Sequence, residues 1–299
     1  RSIELDPTCV PALLQRALFH LNQGSYTEAI KDYSRIVLIQ PNILLVHYNR
    51  ALAYHYTADY ERAYADYLTA ISIQPTVESY YNCGRLLMDC KYHAHAVSFF
   101  TKGLDLAGSG PTTTLLISRA QCWEVLGHHL LAVQDYDSAL LLEPTSQELL
   151  TSKALVLVKM GDVEEAVSHF DRIIELLPPT TTELLSRAYC NRGTSQLRLG
   201  RSLLALNDYQ ASLQYNSCNY KAMRGRMKAY LSLERFAEAL SDVEYLLLHE
   251  FEPDLLLRRS QIHAALGGEA SASDILLSQH LTSLSSSAKL MYRFILDDE

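Results

Sequence analysis

The chain has 299 residues, 48% of them apolar, and carries 26 Lys and Arg against 34 Asp and Glu, a formal net charge of −8. That acidity excludes a nucleic-acid binder working through its whole surface, and no apolar run approaches the ~18 residues of a membrane-spanning helix. Six cysteines, at 9, 83, 90, 122, 190 and 218, include no C-x-x-C pair, which argues against a zinc ribbon and for small core or groove residues in a reducing compartment.

In chain order, the opening residues RSIELDPT repeat the pattern of LTAISIQPT at 68–76, with Pro7 lying 34 residues before Pro41. Residues 1–9 are therefore expected to be the end of a helical unit whose first half is missing, so that the chain is a segment of a longer array. The unit at 10–43 divides into a helix A (VPALLQRALFHLNQ), a turn at Gly24 and a helix B (SYTEAIKDYSRIVLIQ) closed by Pro41. The stretch at 44–76 repeats that plan, with Ala51 in helix A, Ala63 in helix B, Tyr67 one turn later and Pro75 at the end. The second alanine recurs at 29, 63, 96, 132, 166, 205, 239 and 272, in steps of 34, 33, 36, 34, 39, 34 and 33 residues. A period near 34 predicts an array of stacked units before any single motif is read.

The later units fall at 77–110, 113–146, 147–180, 186–219, 220–252 and 253–286, the last a degenerate copy, with a capping helix or tail at 287–299. The unit at 113–146 places Trp123, the only tryptophan, at a core position of its helix A. About five extra residues near 181–185 precede the sixth unit, and the absence of a breaker before Gly193 favours a lengthened helix. Each position has a packing reason. Small residues (Ala17, Ala51, Gly84, Ala120, Ala154, Gly193 and Ser260, with Met227 the exception in the seventh unit) let two helix backbones approach. The residues four after each second alanine (Tyr33, Tyr67, Phe100, Tyr136, Phe170, Tyr209, Val243, Leu276) fill the space towards the next unit. Glycines at 24, 127, 161, 200 and 267 suit a helix end that needs φ > 0.

This set of small, turn-Gly, Ala, Tyr/Phe and Pro positions resembles the tetratricopeptide repeat (TPR) family, and NRALAYHYTADYERAYADYLTAISIQP is a close match to one repeat. The resemblance implies an all-α, right-handed superhelical solenoid of about eight antiparallel helix pairs whose A helices line a concave groove. It also implies a role in holding an extended or helical segment of another protein there.

No phosphate-binding loop, dinucleotide fingerprint, H-E-x-x-H or EF-hand loop occurs, and His128/His129 and His93/His95 are badly spaced for one metal on a helix. Neither a catalytic residue, a metal nor a cofactor is expected. Residues at i, i+3, i+4 and i+7 of each helix A share one face. In the first units that face carries Leu14, Leu18, Leu45, Tyr48, Asn49, Leu52 and His55, and in the third Tyr81, Asn82 and Arg85. In the sixth to eighth it carries Arg187, Asn191, Arg198, Lys221, Arg224, Lys228 and Arg258, and no acidic residue falls within 184–207 or 209–233. Two readings compete for each end: a hydrophobic anchor site or packing against upstream repeats for the first, a pocket for acidic partner segments or plain solvation for the last.

Co-chaperones of the family clamp a terminal carboxylate with Lys and Asn in one helix A, Asn in the next, and Lys and Arg in a third. Here Asn49 is preceded by Leu14 and Leu18; Asn191 and Lys221 are followed by Gly225 at the Arg position. Clamp binding is therefore not expected. The expected protein is a cytoplasmic, non-catalytic scaffold for other proteins. The alternatives are a recruiting arm of an enzyme whose catalytic domain lies elsewhere, or a part of a large assembly, for example in the cilium.

Overall fold

The computed structural model describes residues 8–108, 110, 112–249, 252–267 and the single positions 275, 276 and 279. The expectations for residues 1–7, for helix B of the eighth unit and for the 287–299 cap lie outside the described residues. Helices and their connections make up everything described, with no strand. They run α1 Val10–Asn22, α2 Tyr26–Ile39, α3 Leu44–Tyr56, α4 Tyr60–Ile73, α5 Val77–Asp89, α6 His93–Ala107, α7 Thr113–Val125 and α8 His129–Leu142. They continue with α9 Gln147–Met160, α10 Val163–Leu176, α11 Thr182–Arg198, α12 Ser202–Tyr215, α13 Tyr220–Ser232, α14 Phe236–His249 and α15 Pro253–Ala265. The chain divides into two compact units, residues 1–149 and 150–299.

Within each unit, successive helices pack as antiparallel pairs, and each pair stacks on the next. The recurring positions form the core. Ala17, Ala51, Ala120, Ala29, Ala63, Ala96 and Ala132 are fully buried in the first unit, as are Ala154, Ala166, Ala205 and Ala239 in the second. Tyr33, Tyr67, Phe100, Tyr136, Phe170 and Tyr209 are the largest fully buried side chains. Gly84 shows why the small position is needed: a Cβ there would lie 2.5 Å from the Phe100 ring. One expectation is corrected. Trp123 is only partly buried, against the Phe100 cluster with its ring edge-on to His128. The cysteines divide evenly: Cys83, Cys122 and Cys190 are buried in helices, whereas Cys9, Cys90 and Cys218 lie outside them.

Every pair turns through one left-handed residue. Five of these are Gly24, Gly127, Gly161, Gly200 and Gly267, and three are Ala58, Lys91 and Glu234. A side chain in that conformation costs about 1–2 kcal/mol, of which glycine's extra unfolded-state freedom takes back about 0.5–1. Glu234 is exposed, with φ of 58°. Glu234→Gly is expected to raise stability by about 0.5–1 kcal/mol, read as a higher urea midpoint at unchanged slope. A lowered midpoint would mean that the glutamate side chain contributes more than the strain costs.

A feature absent from the repeat template runs through both units. The residue before the small position of helix A and the residue before the aromatic of helix B are Arg and Asp, 16 apart: Arg16–Asp32, Arg50–Asp66, Arg119–Asp135, Arg192–Asp208 and Arg226–Asp242. Closest contacts are 2.5–2.6 Å, and each guanidinium forks onto its carboxylate. All five carboxylates are buried, so each pair ties helix A to helix B inside its own repeat. The third repeat has Cys83 and Phe99 at these positions, both buried, and loses both charges together. The fifth has Lys153, which reaches Glu165 at 3.0 Å instead.

Candidate functional site

The A-helix face of the second unit is built by α11 and α13, which pack side by side. The extra residues near 181–185 start α11 early, and the helix runs for 17 residues where α13 has 13. On α13, Lys221, Arg224 and Lys228 stand at i, i+3 and i+7, one stripe by helical geometry. Together with Arg198 from the last turn of α11 they line a hollow of about 410 Å³, with Thr194, Leu197, Tyr209 and Gly225 as its other walls. Gly225 shapes it, because a Cβ there would run into the Tyr209 ring. The Tyr209 hydroxyl donates to Thr194 Oγ1 at 3.2 Å, and burial pushes its pKa up to about 12. Tyr209 is therefore a neutral phenol at any physiological pH.

The cations here are mostly held by neutral groups. Lys221 Nζ donates to Asn191 Oδ1 at 3.0 Å, and Arg198 Nη1 donates to the Val158 carbonyl at 3.0 Å. Lys228 has no ion pair or hydrogen bond among the described residues. Arg224 meets a carboxylate, Glu252, at 2.7 Å. Of the residues picked out on this face, the structure thus gathers Asn191, Arg198, Lys221, Arg224 and Lys228. It leaves two outside the hollow: Arg187 is exposed in the first half of α11, and Arg258 on α15 approaches Asp254 at 3.7 Å.

In the first unit, the expected face is more closed. Asn49 is a correction: it is 6% exposed, a core residue instead of an open groove position, because α3 turns it inward beside Ala53 and Val46. Tyr48 and Asn82, on successive A helices, meet directly, Asn82 Nδ2 donating to the tyrosine oxygen at 2.7 Å. His55 similarly reaches Asp89 at 2.7 Å. Tyr81 and Arg85, the guanidinium 5.9 Å from the ring centroid, line a hollow of about 330 Å³ with Asp89, Thr114 and Gln121. Leu14 and Leu18 are half-buried on α1. From Tyr48 onward this face carries polar ties between neighbouring A helices, and its apolar part is Leu14 and Leu18 on α1 with Leu45 and Leu52 on α3. Sequence reasoning picked these residues by spacing alone. It missed Thr194, whose signal was present as a hydroxyl on the same helical stripe as Arg198, and it used Gly225 only as the position where a clamp would need arginine.

Among the described residues no three His, Cys, Asp or Glu come close enough to hold a metal ion, and no helix is long and apolar enough to cross a membrane. Burial raises the pKa of Cys83 to about 12 and of Cys122 to about 11, which leaves neither thiol a nucleophile at neutral pH.

Antiparallel pairs of about 34 residues, stacked with a polar A-helix face, define a helical-repeat interaction module. Comparison with known proteins gives the family. Tetratricopeptide repeat models match residues 10–43, 45–76 and 77–109 and, further along, 190–272, together more than half of the chain. The chain belongs to the tetratricopeptide repeat family. Curated relatives include the DnaJ homolog subfamily C member 7 homolog of Schizosaccharomyces pombe, 27% identical over 144 residues (43% of this chain and 29% of the relative). Another is the tetratricopeptide repeat and J domain-containing co-chaperone DNJ1 of Cryptococcus neoformans, 24% identical over 198 residues (65% of this chain and 33% of the relative). The chain spans about a third of the length of these relatives. Among solved structures, the C-terminal part of a TPR protein from Cytophaga hutchinsonii superposes with a TM-score of 0.69 at 16% identity, covering 82% of this chain and 98% of that one. YrrB, described as a TPR protein with an unusual peptide-binding site, gives 0.55 at 18% identity, covering 65% and 97%. At these identities the structures speak for the fold.

Proposed function

We propose that this chain is a non-catalytic protein-interaction scaffold that takes an acidic segment of a partner on the A-helix face of its second unit. The observation that carries the reading is the hollow between α11 and α13: four cations line it, and Lys221, Arg198 and Lys228 have no acidic partner among the described residues. On a chain of net charge −8 such a patch attracts an anion selectively, since the surrounding surface repels it. The carboxylate clamp is not part of this reading. Its arginine position is Gly225, and the co-chaperone names belong to relatives of which the match covers only 29% and 33%. The half-buried Leu14 and Leu18 of α1 are proposed as a separate apolar contact of the first unit.

The test uses a labelled peptide of alternating Glu and Leu beside its Gln counterpart, followed by fluorescence anisotropy. The Glu peptide is expected to bind roughly tenfold tighter, about 1.4 kcal/mol, and to weaken as salt rises from about 50 to about 300 mM. Lys221→Glu/Lys228→Glu, both exposed and so harmless to the helices by circular dichroism, should abolish binding. Equal binding of the Glu and Gln peptides, or an unaffected double variant, would remove the basis for the proposal.

A further inference from the structure

The hollow is over-supplied with positive charge for a carboxylate. Lys221 spends one N–H on Asn191 and Arg198 one on the Val158 carbonyl, so both keep free donors, and Lys228 keeps all three. Arg224 is paired with Glu252 at 2.7 Å. One carboxylate would bring a single charge and two oxygens to at least three uncompensated cations. A phosphomonoester brings a charge of about −1.5 to −2 at neutral pH and three strong acceptor oxygens, which fits lysines and a fork-shaped guanidinium arranged around one space.

The room is present as well. At about 410 Å³ the hollow has the volume of a small-ligand site, walled on one side by the Tyr209 ring packed against Gly225. The other walls do not oppose an anion. Thr194 Oγ1 is taken up between the Tyr209 hydroxyl and the Cys190 carbonyl, and Leu197 supplies an apolar edge for the methylene or methyl group of the bearing residue. From these observations we infer that the α11–α13 hollow recognises a phosphorylated side chain, phosphoserine or phosphothreonine, within the acidic segment of the partner. The inference rests on the reading of this face as the partner site and makes that site conditional on a modification of the partner.

The experiment compares three labelled peptides of one acidic sequence that carry Ser, Glu or phosphoserine at the central position. The phosphoserine peptide is expected to bind at least roughly tenfold tighter than the Glu peptide at pH 7.5. Its advantage should shrink as pH falls below about 6, where the second phosphate proton returns. Lys228→Gln and Lys221→Gln should remove the preference, whereas Arg187→Gln, outside the hollow, should keep it. If the Glu and phosphoserine peptides bind alike, this inference fails while the acidic-segment reading stands; if neither binds, both fail. An oligothymidylate of equal charge binding as tightly would show a general polyanion surface and overturn the inference. Inorganic phosphate alone binding as tightly as the peptide would do the same.

Discussion

Asp242→Ala is expected to destabilise the second unit by about 2–3 kcal/mol, while the double variant Arg226→Met/Asp242→Leu should cost within about 1 kcal/mol of nothing. The asymmetry follows from where the energy of the pair lies. Asp242 is 5% exposed and receives two hydrogen bonds from Arg226, at 2.6 and 3.0 Å. Burial pushes its pKa above the ordinary carboxylate value, and the guanidinium pulls it back only in part. An ionised carboxylate in that setting is close to break-even against water. Removing it alone strands a guanidinium whose side chain is only 24% exposed, and that stranded charge is the main cost. Removing both charges leaves apolar groups of similar volume between α13 and α14. The third repeat already has this arrangement, with Cys83 and Phe99 buried at the corresponding positions. The measurement is urea unfolding together with hydrogen exchange on α13 and α14. A repeat array need not unfold in one step, so the exchange locates the loss. A double variant as damaged as the single one would mean that the pair contributes net stability and is more than a matched replacement for an apolar contact.

These pairs also show what the sequence made legible. The fold could be read because a 34-residue period repeats small and aromatic residues often enough to average out local accidents. Ala51, Ala63 and Tyr67 appear in the core where the template places them. The Arg–Asp pairs were present in the same text, one residue before the small position and one before the aromatic. Polar letters beside a helix core normally point to solvent, and only the 16-residue separation shows that two of them meet. The groove was harder. Helical spacing places Tyr48, Asn82, His55 and Arg85 on one face, but it cannot tell an open side chain from one tied to the next repeat. Tyr48 with Asn82 and His55 with Asp89 are tied. Asn49 shares the stripe and is nonetheless buried, because one position of rotation separates the groove wall from the core. The basic cluster was legible for the opposite reason. Lys221 and Lys228 are long, exposed and free of nearby acids in sequence, so little in the tertiary structure could change their surroundings.

The second large effect is a reversal of sign at Gly225. Gly225→Ala is expected to cost about 2 kcal/mol in the natural chain and to stabilise by up to about 1 kcal/mol in a Tyr209→Ala background. In isolation alanine is the better helix residue, so a glycine in the middle of α13 is unfavourable on its own account. What requires it is the aromatic of the preceding repeat. An added Cβ would lie 2.7 Å from the Tyr209 hydroxyl and closer still to the ring. Tyr209 cannot retreat. It is 1% exposed, and Asp208 beside it is fixed by Arg192. Tyr209→Ala alone should cost about 3–5 kcal/mol through the cavity it leaves, which also frees the space that alanine at 225 needs. The four stabilities of the cycle, measured by denaturation midpoint, therefore predict a coupling of about 3 kcal/mol between residues 209 and 225. The same substitution bears on binding. A Tyr209 ring displaced by Gly225→Ala would narrow the hollow between Arg198 and Lys228, so the phosphoserine peptide should lose affinity although no charge has changed. Lost stability with undiminished peptide affinity would place the ligand away from the Tyr209 wall, over the lysine stripe alone.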